Sequence, residues 1–430
     1  MRAGTAWVDI TPDKPLCVAG QLHRRVGEYT HDQLTANAAA FDDGSQQVVI
    51  VSCDLLYLPI EFTDEVQALC REQFGIAARS VLIACTHTHV GPCTNTRSVG
   101  EVSPEYMDGL RASLIEVIGR ALNDLEEVNL YAGTGWLDEL GFNRRGCHSD
   151  GRADMYHGSW NDDFDGLEGP RDGRLPVIFA RRSSDGGLKV VIPSFATHPT
   201  TMEGDCFYSA DIPGSLRAFL RRNLGDAVGV VYLTGAAGNT SPMQLENNPE
   251  RDRPWYGEEG WERCGTYIGA EVLKVITSTT EPMADPMIRL AQTVEKIPIR
   301  PYPTDFDPEK LAWGRDYFAP YRDDWPRMLR EESPVEVRLN VLRLGDAVIC
   351  TNPAELYVEF GIAIKDSSPV RVTIVSELTD GHVGYVPTKE AFAHGGYSVW
   401  PAWSSKLAEN AGEIIVESTR RLIHETFREI

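Results

Sequence analysis

Residues 48–92, VVIVSCDLLYLPIEFTDEVQALCREQFGIAARSVLIACTHTHVGP, contain two apolar runs separated by an amphipathic segment. Val48–Val51 is short and continuous, which is typical of a strand buried on both faces. A helix is predicted near residues 63–74, because apolar residues recur there at helical spacing and Gly75 can end it. Val81–Ala84 predicts a second buried strand. A strand, a helix and a strand in this order favour parallel pairing, so the pattern indicates a βαβ unit.

The alternation of strand-like and helical segments continues along the chain. Pro104 opens a longer helix whose apolar residues recur every three or four positions. Further strands are predicted at 129–132, 190–195, 229–233, 335–344, 348–350 and 372–375, and further helices near 212–222, 262–276, 354–364 and 403–426. The prediction is an α/β fold with a mixed, largely parallel central sheet flanked by helices, and with catalytic residues at the carboxyl ends of the strands. We expect residues 1–430 to form one domain.

Two polar segments interrupt this alternation. Residues 146–174 are rich in Gly, Asp and Arg, and residues 300–333 are rich in Pro, Asp, Tyr and Trp. Loops of this length are uncommon in compact domains unless they line or cover a site. Both segments are therefore predicted to be loops, either at a functional site or as surface insertions without a role.

The composition is that of an acidic globular protein. Of 430 residues, 42% are hydrophobic and 24% are charged, and the formal net charge is −22. Such a surface repels phosphates, which excludes nucleic acid as a partner. No secretory leader pattern and no transmembrane segment are visible, and the nine cysteines form no CxxC pair. We therefore expect reduced thiols and a cytoplasmic protein, whereas the oligomeric state is not predicted.

Histidines follow two of the predicted strands. His87 and His89 come directly after Val81–Cys85, and His198 follows the strand that ends at Phe195. In an extended chain, residues two apart point to the same side, so His87 and His89 can converge on one ion. Neutral imidazole suits zinc, and a catalytic zinc site needs about three protein ligands. Each histidine taken alone is equally explained as an ordinary hydrogen-bonded polar residue.

Three other segments that follow predicted strands carry candidate residues. Gly235–Pro242 is a glycine-rich turn that would let main-chain N–H groups approach a substrate oxygen beside the Ser241 hydroxyl, although a purely structural turn has the same composition. This turn lacks the Gly-Lys-Ser/Thr ending of a phosphate-binding loop, and the chain contains no GxSxG nucleophile elbow. Glu355 is predicted in the first turn of a helix, where a carboxylate often only complements the helix dipole. Tyr385 and Tyr397 lie in glycine-flanked loops and are also explained as packing aromatics.

The order of these segments resembles that of the neutral/alkaline (non-lysosomal) ceramidase family over nearly the whole chain. Each matching motif is short, and the specificity comes from their common order. The motifs are Asp9-Ile10-Thr11-Pro12, His87-Thr88-His89-Val90-Gly91-Pro92, Asn143-Arg144, Ala196-Thr197-His198-Pro199-Thr200, Ser209-Ala210-Asp211-Ile212-Pro213-Gly214, Gly238-Asn239-Thr240-Ser241-Pro242, Pro353-Ala354-Glu355 and Gly384-Tyr385-Val386-Pro387-Thr388.

The resemblance implies a zinc-dependent hydrolase that cleaves the amide bond of a small-molecule or lipid substrate. The residues that it implies as zinc ligands are His87, His198, Glu355 and Tyr385. Four more positions match active-site groups of the family, namely Ser241, His89, Arg144 and Tyr397. Among these, Ser241 matches the nucleophile or amide-recognition group, and His89 would lie beside the metal.

The implied residues are consistent with amide hydrolysis. Zinc lowers the pKa of bound water to about 7 and polarises a carbonyl group. Arg144 or Tyr397 can stabilise the oxyanion that develops, and His89 can donate a proton to the leaving amine. Asp54 and Asp211 are candidates to orient the ligand imidazoles, as carboxylates behind metal ligands often do.

Three features differ from the better-known members of the family. Those proteins carry a C-terminal immunoglobulin-like domain, which we do not expect here, and their serine motif more usually reads Gly-Asp-Val-Ser-Pro. The segment 146–174, with His148 and His157, is too polar to line an acyl channel. A second hypothesis is therefore that the same metal site acts on a polar or sugar-derived substrate, as a hydrolase or a lyase. A non-catalytic protein that binds a small ligand is the third.

Overall fold

The computed structural model describes residues 1–246 and 255–428, and the two largest β-sheets of this part of the chain stack face to face. Helices cover the outer face of each sheet, so the layers run helix, sheet, sheet, helix. The α/β class and the large mixed sheet flanked by helices are confirmed. The second sheet, which was not predicted as a separate layer, consists of Ile288–Ile297, Val335–Leu344, Ala347–Thr351 and Val372–Ser376.

The larger sheet contains the predicted βαβ unit. Gln47–Cys53 and Val81–Cys85 pair in parallel, and the helix Ile60–Phe74 connects them. From edge to edge the strands are Gly229–Val230, Leu188–Phe195, Arg174–Arg182, Glu126–Trp136, Arg2–Asp9, Thr35–Asp42, Gln47–Cys53 and Val81–Cys85, with Leu233–Thr234 also beside Leu188–Phe195. Most neighbours are antiparallel, so the predicted predominance of parallel pairing is wrong.

The antiparallel pairing comes from strands that the sequence pattern did not predict. Thr35–Asp42 reads TANAAAFD, and alanine and asparagine are poor strand formers. The short turn 43–46 joins it to Gln47–Cys53. Such a turn suffices for antiparallel neighbours, whereas parallel strands need a longer crossover.

Both faces of the larger sheet are buried. Side chains alternate along a strand, so Val49 and Val51 pack against the helix layer while Val48 and Ile50 pack against the second sheet. This alternation explains why Val48–Val51 is apolar without interruption.

The helices that cover the sheets carry their apolar residues on one side. Within residues 1–246 and 255–428, the α-helices are Ile60–Phe74, Pro104–Asn123, Asp211–Leu224, Gly257–Ser278, Arg315–Glu331, Val358–Ser367, Lys389–His394 and Ala411–Thr426. In this part of the chain, none of them combines the length and the apolar character that crossing a membrane requires.

The two polar segments are more regular than predicted. Residues 146–174 contribute to a small three-stranded sheet of Arg145–His148, Ala153–Met155 and Phe164–Leu167. Residues 300–333 contain the helix Arg315–Glu331. That helix has two prolines, Pro320 and Pro326, which is why its sequence looked like a loop.

One buried ion pair connects the larger sheet to the helix Asp211–Leu224. Asp54, at the end of Gln47–Cys53, pairs with Arg217 and accepts hydrogen bonds from the Thr35 N–H and hydroxyl at 2.8 and 2.9 Å. Both charged side chains are almost completely buried. The pair therefore holds this helix at the carboxyl ends of the strands.

We predict that Arg217→Met lowers the free energy of unfolding by about 3 kcal/mol, because it leaves the Asp54 carboxylate buried without its partner. Denaturant unfolding of the variant and of Arg222→Met, an exposed control on the same helix, would measure this. The assignment would be wrong if both variants unfold at the midpoint of the unmodified protein.

Candidate metal centre

Three buried histidines meet at the carboxyl ends of the strands. His87 and His89 follow Val81–Cys85, and His198 follows Leu188–Phe195. One ring nitrogen from each lies within 4.8 Å of the other two. Both strands belong to the larger sheet. Thr234, which pairs with Phe195 at the end of Leu188–Phe195, donates a hydrogen bond from its hydroxyl to the Thr86 carbonyl at 2.9 Å and so joins the two strand ends.

Hydrogen bonds to the main chain fix two of the imidazoles. His87 Nδ1 lies 2.8 Å from the Leu56 carbonyl, and His198 Nδ1 lies 2.6 Å from the Ala237 carbonyl. A carbonyl oxygen only accepts, so each Nδ1 carries the proton and each Nε2 exposes a lone pair. The two Nε2 atoms are 3.0 Å apart. Two lone pairs at this distance repel each other unless a cation or a proton lies between them.

The local backbone at His87 differs from the extended chain that was predicted. His87 has a φ of 70°, in the left-handed region that non-glycine residues rarely adopt. Convergence with His89 therefore comes from a bend in the chain. Strained backbone of this kind persists where the surrounding structure holds it, often at functional sites.

Glu355 completes a triangle with the two imidazoles. Its Oε2 is 3.4 Å from His87 Nε2 and 3.6 Å from His198 Nε2, while its Oε1 lies 3.0 Å from His382 Nε2. Glu355 lies in the short strand Ala354–Leu356, and the helix begins only at Val358, so its predicted place in the first helical turn is wrong.

The charge of Glu355 depends on its imidazole neighbours. Burial by itself would raise the pKa of this carboxyl, but the rings of His87, His198 and His382 outweigh burial and hold the pKa well below its usual value. Burial, together with Arg144 and His87, lowers the pKa of His198 to about 3. At neutral pH, the Glu355 carboxylate is therefore ionised and the His198 imidazole is neutral.

These donors fit a zinc ion. Zinc bonds of about 2.0–2.2 Å in tetrahedral geometry separate the ligand atoms by about 3.4 Å. The triangle of His87, His198 and Glu355 has sides of 3.0, 3.4 and 3.6 Å. Glu355 Oε2 and both ring nitrogens of His89 are buried and have no hydrogen-bond partner among the described residues. Buried polar atoms without partners are rare and suggest a ligand.

Tyr385 lies beside Glu355. The strand Gly384–Val386 pairs in parallel with Ala354–Leu356, and the register puts Tyr385 opposite Glu355. Burial and the nearby Glu355 carboxylate raise the pKa of the Tyr385 phenol well above its usual value.

Arg144 contacts the same group of residues. Its Nη2 donates to the Gly238 carbonyl at 3.0 Å and to the Tyr385 hydroxyl at 3.2 Å, and lies 3.0 Å from His198 Nε2. Tyr397 stands behind Tyr385, with ring centroids 5.9 Å apart.

Ser241 is placed differently from the other predicted residues. It is fully buried in the strand Thr240–Ser241, and its Oγ accepts a hydrogen bond from the Met243 N–H at 3.2 Å. This strand pairs with Phe142–Asn143, next to Arg144. Ser241 does not line the cavity above the histidines, so its role in the reaction stays a prediction.

Asp54 and Asp211 do not orient the imidazoles as predicted. Asp54 pairs with Arg217, and Asp211 accepts hydrogen bonds from the Met202 and Ile212 N–H groups at 3.0 and 2.7 Å. Main-chain carbonyls hold the imidazoles instead.

Two acidic residues that the sequence did not single out support the site. Glu377 Oε2 accepts from the N–H groups of Ala237 and Leu356, both at 3.1 Å, and so joins the turn that holds His198 to the strand that carries Glu355. Glu203 Oε2 lies 3.5 Å from His89 Nδ1, and burial raises the pKa of Glu203 to about 7. Neither follows a recognisable motif, and only the three-dimensional contacts identify them.

A small cavity opens above the histidines. It has a volume of about 70 Å³ and is lined by polar and aromatic side chains, among them His89, Glu355 and Tyr397. A groove of about 500 Å³ lies next to it and shares Trp403 with it. Lys406, only 4% exposed, also lines this groove.

Lys406 is a buried cation without a carboxylate partner in the described part of the chain. Its Nζ lies 4.5 Å from the centre of the Trp403 ring. Burial lowers the pKa of the Lys406 ammonium to about 7.

We predict that, between pH 7 and pH 9.5, the free energy of unfolding increases more for the unmodified protein than for Lys406→Met. An unfolded lysine keeps its proton up to about pH 10, so the unfolded state binds more protons than the folded state in this range. Denaturant unfolding at both pH values measures the difference, with Lys274→Met as an exposed control. If the free energy of unfolding changed equally with pH in the unmodified protein and in Lys406→Met, the lowered pKa of Lys406 would be contradicted.

Comparisons with known proteins give a match at the level of structure. No known family profile and no curated protein match the sequence. The crystal structure of neutral ceramidase from Pseudomonas aeruginosa matches with a TM-score of 0.76 and 18% identity, over 100% of this chain and 75% of that one. A ceramidase complexed with C2 matches with a TM-score of 0.73 and 17% identity, over 99% of this chain and 74% of that one. The chain therefore has a neutral-ceramidase-like fold.

Proposed function

We propose that this protein is a zinc-dependent hydrolase that cleaves an amide bond in a small-molecule or lipid substrate. The observation that carries the proposal is the triangle of His87 Nε2, His198 Nε2 and Glu355 Oε2, whose sides of 3.0, 3.4 and 3.6 Å match the spacing of ligand atoms around a zinc ion. The similarity to solved ceramidase structures supports a hydrolase.

The zinc ion would be held by His87, His198, Glu355 and Tyr385. Zinc in such a site supplies Lewis-acid polarisation of the scissile carbonyl and lowers the pKa of water to about 7. The hydrogen bonds of the Nδ1 atoms to main-chain carbonyls keep both imidazoles in the tautomer that binds metal.

Four further side chains have roles in the proposed reaction. His89 is neutral, because burial and the neighbouring His87 and His198 lower its pKa well below the usual value. It can therefore accept a proton from the attacking water and deliver it to the leaving nitrogen. Arg144 keeps its charge and, with the Tyr397 hydroxyl, stabilises the negative charge that develops on the carbonyl oxygen. Ser241 would orient the amide or act as the nucleophile.

We predict that His87→Ala, His198→Ala and Glu355→Ala each lose the zinc of this site and lower amidase activity more than about 100-fold, because even partners of metal ligands are worth about 10–100-fold. Metal analysis and turnover of N-acylsphingosine and short N-acyl amines measure both effects. His23→Ala, an exposed control, should change neither. Absence of zinc from the pure protein, together with activity that survives a chelator, would refute the proposal.

A second candidate is that the same centre acts on a polar substrate. The cavity of about 70 Å³ is far smaller than the roughly 300 Å³ or more of common ligand pockets. The adjoining groove carries the ion pair of Arg97 and Glu332, 2.8 Å apart, and the polar end of Lys406. Charged walls suit polar groups and disfavour a long acyl chain.

We predict that short polar amides or sugar-derived substrates are turned over faster than N-acylsphingosine, because a long acyl chain would have to displace water from charged groove walls. Parallel assays of the two substrate classes on the zinc-loaded protein measure the preference. Activity on N-acylsphingosine alone would exclude the polar alternative, and activity on polar substrates alone would exclude the lipid.

A further inference from the structure

The small three-stranded sheet of residues 145–167 carries a second group of metal-binding side chains. His148, His157 and Asp163 each offer one ligand atom, and these atoms lie within 4.8 Å of one another. This group uses none of the residues of the centre described above.

The two imidazoles face one carboxylate. The rings of His148 and His157 stack with centroids 3.6 Å apart. Asp163 Oδ2 lies 2.7 Å from His148 Nδ1, and Asp163 Oδ1 lies 3.3 Å from His157 Nε2. His157 is only 8% exposed, and its Nε2 has no hydrogen-bond partner among the described residues. A buried nitrogen that points at a carboxylate without a hydrogen bond is a candidate metal ligand.

The three side chains come from three different places in the small sheet. His148 ends Arg145–His148, His157 follows Ala153–Met155, and Asp163 precedes Phe164–Leu167. The strands themselves contribute few apolar residues, so the sheet has little core of its own. An ion bound to all three ligands would cross-link the strands, which is how small metal-dependent units gain stability.

The backbone next to His157 is held tightly. Gly146 approaches it so closely that a Cβ at Gly146 would stand 1.7 Å from the His157 carbonyl oxygen. Tyr156 has a φ of 61°, which is strained for a tyrosine. The Tyr156 hydroxyl lies 3.3 Å from Arg144 Nη1. Through this contact, the position of the Arg144 side chain depends on how well the segment around Tyr156 is ordered.

We propose that His148, His157 and Asp163 form a second metal site, for a first-row divalent cation of the zinc class, which stabilises this segment and positions Arg144. Two nitrogens and one carboxylate oxygen suit such ions. Asp163 is half exposed, so the ion can enter from solvent, and water can fill the remaining coordination positions. The proposal does not depend on the reaction at the other centre.

The test is to strip the whole protein with chelator, reload it with zinc, and count the ions retained in the presence of a weak competing chelator. We expect two per chain for the unmodified protein and one for His157→Ala and for Asp163→Asn. Asp163→Asn changes a half-exposed side chain and so keeps the test valid if His157→Ala fails to fold. His424→Ala, an exposed control, should retain two.

The two centres can be told apart in the same experiment. His87→Ala removes only the ion of the other centre, so this variant should retain one ion. The double variant His87→Ala with Asp163→Asn should retain none. If the other centre binds no metal, the unmodified protein retains one ion and Asp163→Asn none. The proposal would be overturned if His157→Ala and Asp163→Asn both retained as many ions as the unmodified protein.

Discussion

The hydrogen bonds from His87 Nδ1 to the Leu56 carbonyl and from His198 Nδ1 to the Ala237 carbonyl are the constraint on which the site depends. They fix the tautomers and leave two lone pairs 3.0 Å apart. Such an arrangement is unfavourable by itself in a buried place, because neither nitrogen can donate to the other. The fold must therefore hold it in place, or a cation must occupy it.

The two stacked sheets supply this support. Leu56 follows the strand Gln47–Cys53, whose position is fixed by the Asp54–Arg217 pair. Ala237 is held from the other side by Glu377, which also binds the strand next to Glu355. The centre thus lies beyond the carboxyl ends of strands from both sheets, since His87 and His198 follow strands of the larger sheet and Glu355 lies in the short strand that follows Ala347–Thr351 of the second sheet.

The spacing of apolar residues in the sequence predicts those strands and helices whose form depends on neighbouring residues in the chain. The strands and the helix of residues 48–85 follow from apolar periodicity, and the histidines that follow the strands were found by their position. The sequence does not predict the antiparallel strand Thr35–Asp42, because alanines give no strand signal. It predicts a helix at Glu355 because a strand of three residues is too short to show a period. His382 and Glu203 could not be found in advance, since their roles come from contacts between distant segments.

Anomalous diffraction at the zinc edge from crystals of the zinc-loaded protein would show directly whether His87, His198 and Glu355 hold the ion. We predict a peak within about 2.0–2.2 Å of His87 Nε2, His198 Nε2 and Glu355 Oε2. A map that shows zinc bound elsewhere, with the two Nε2 atoms still in direct contact, would contradict it.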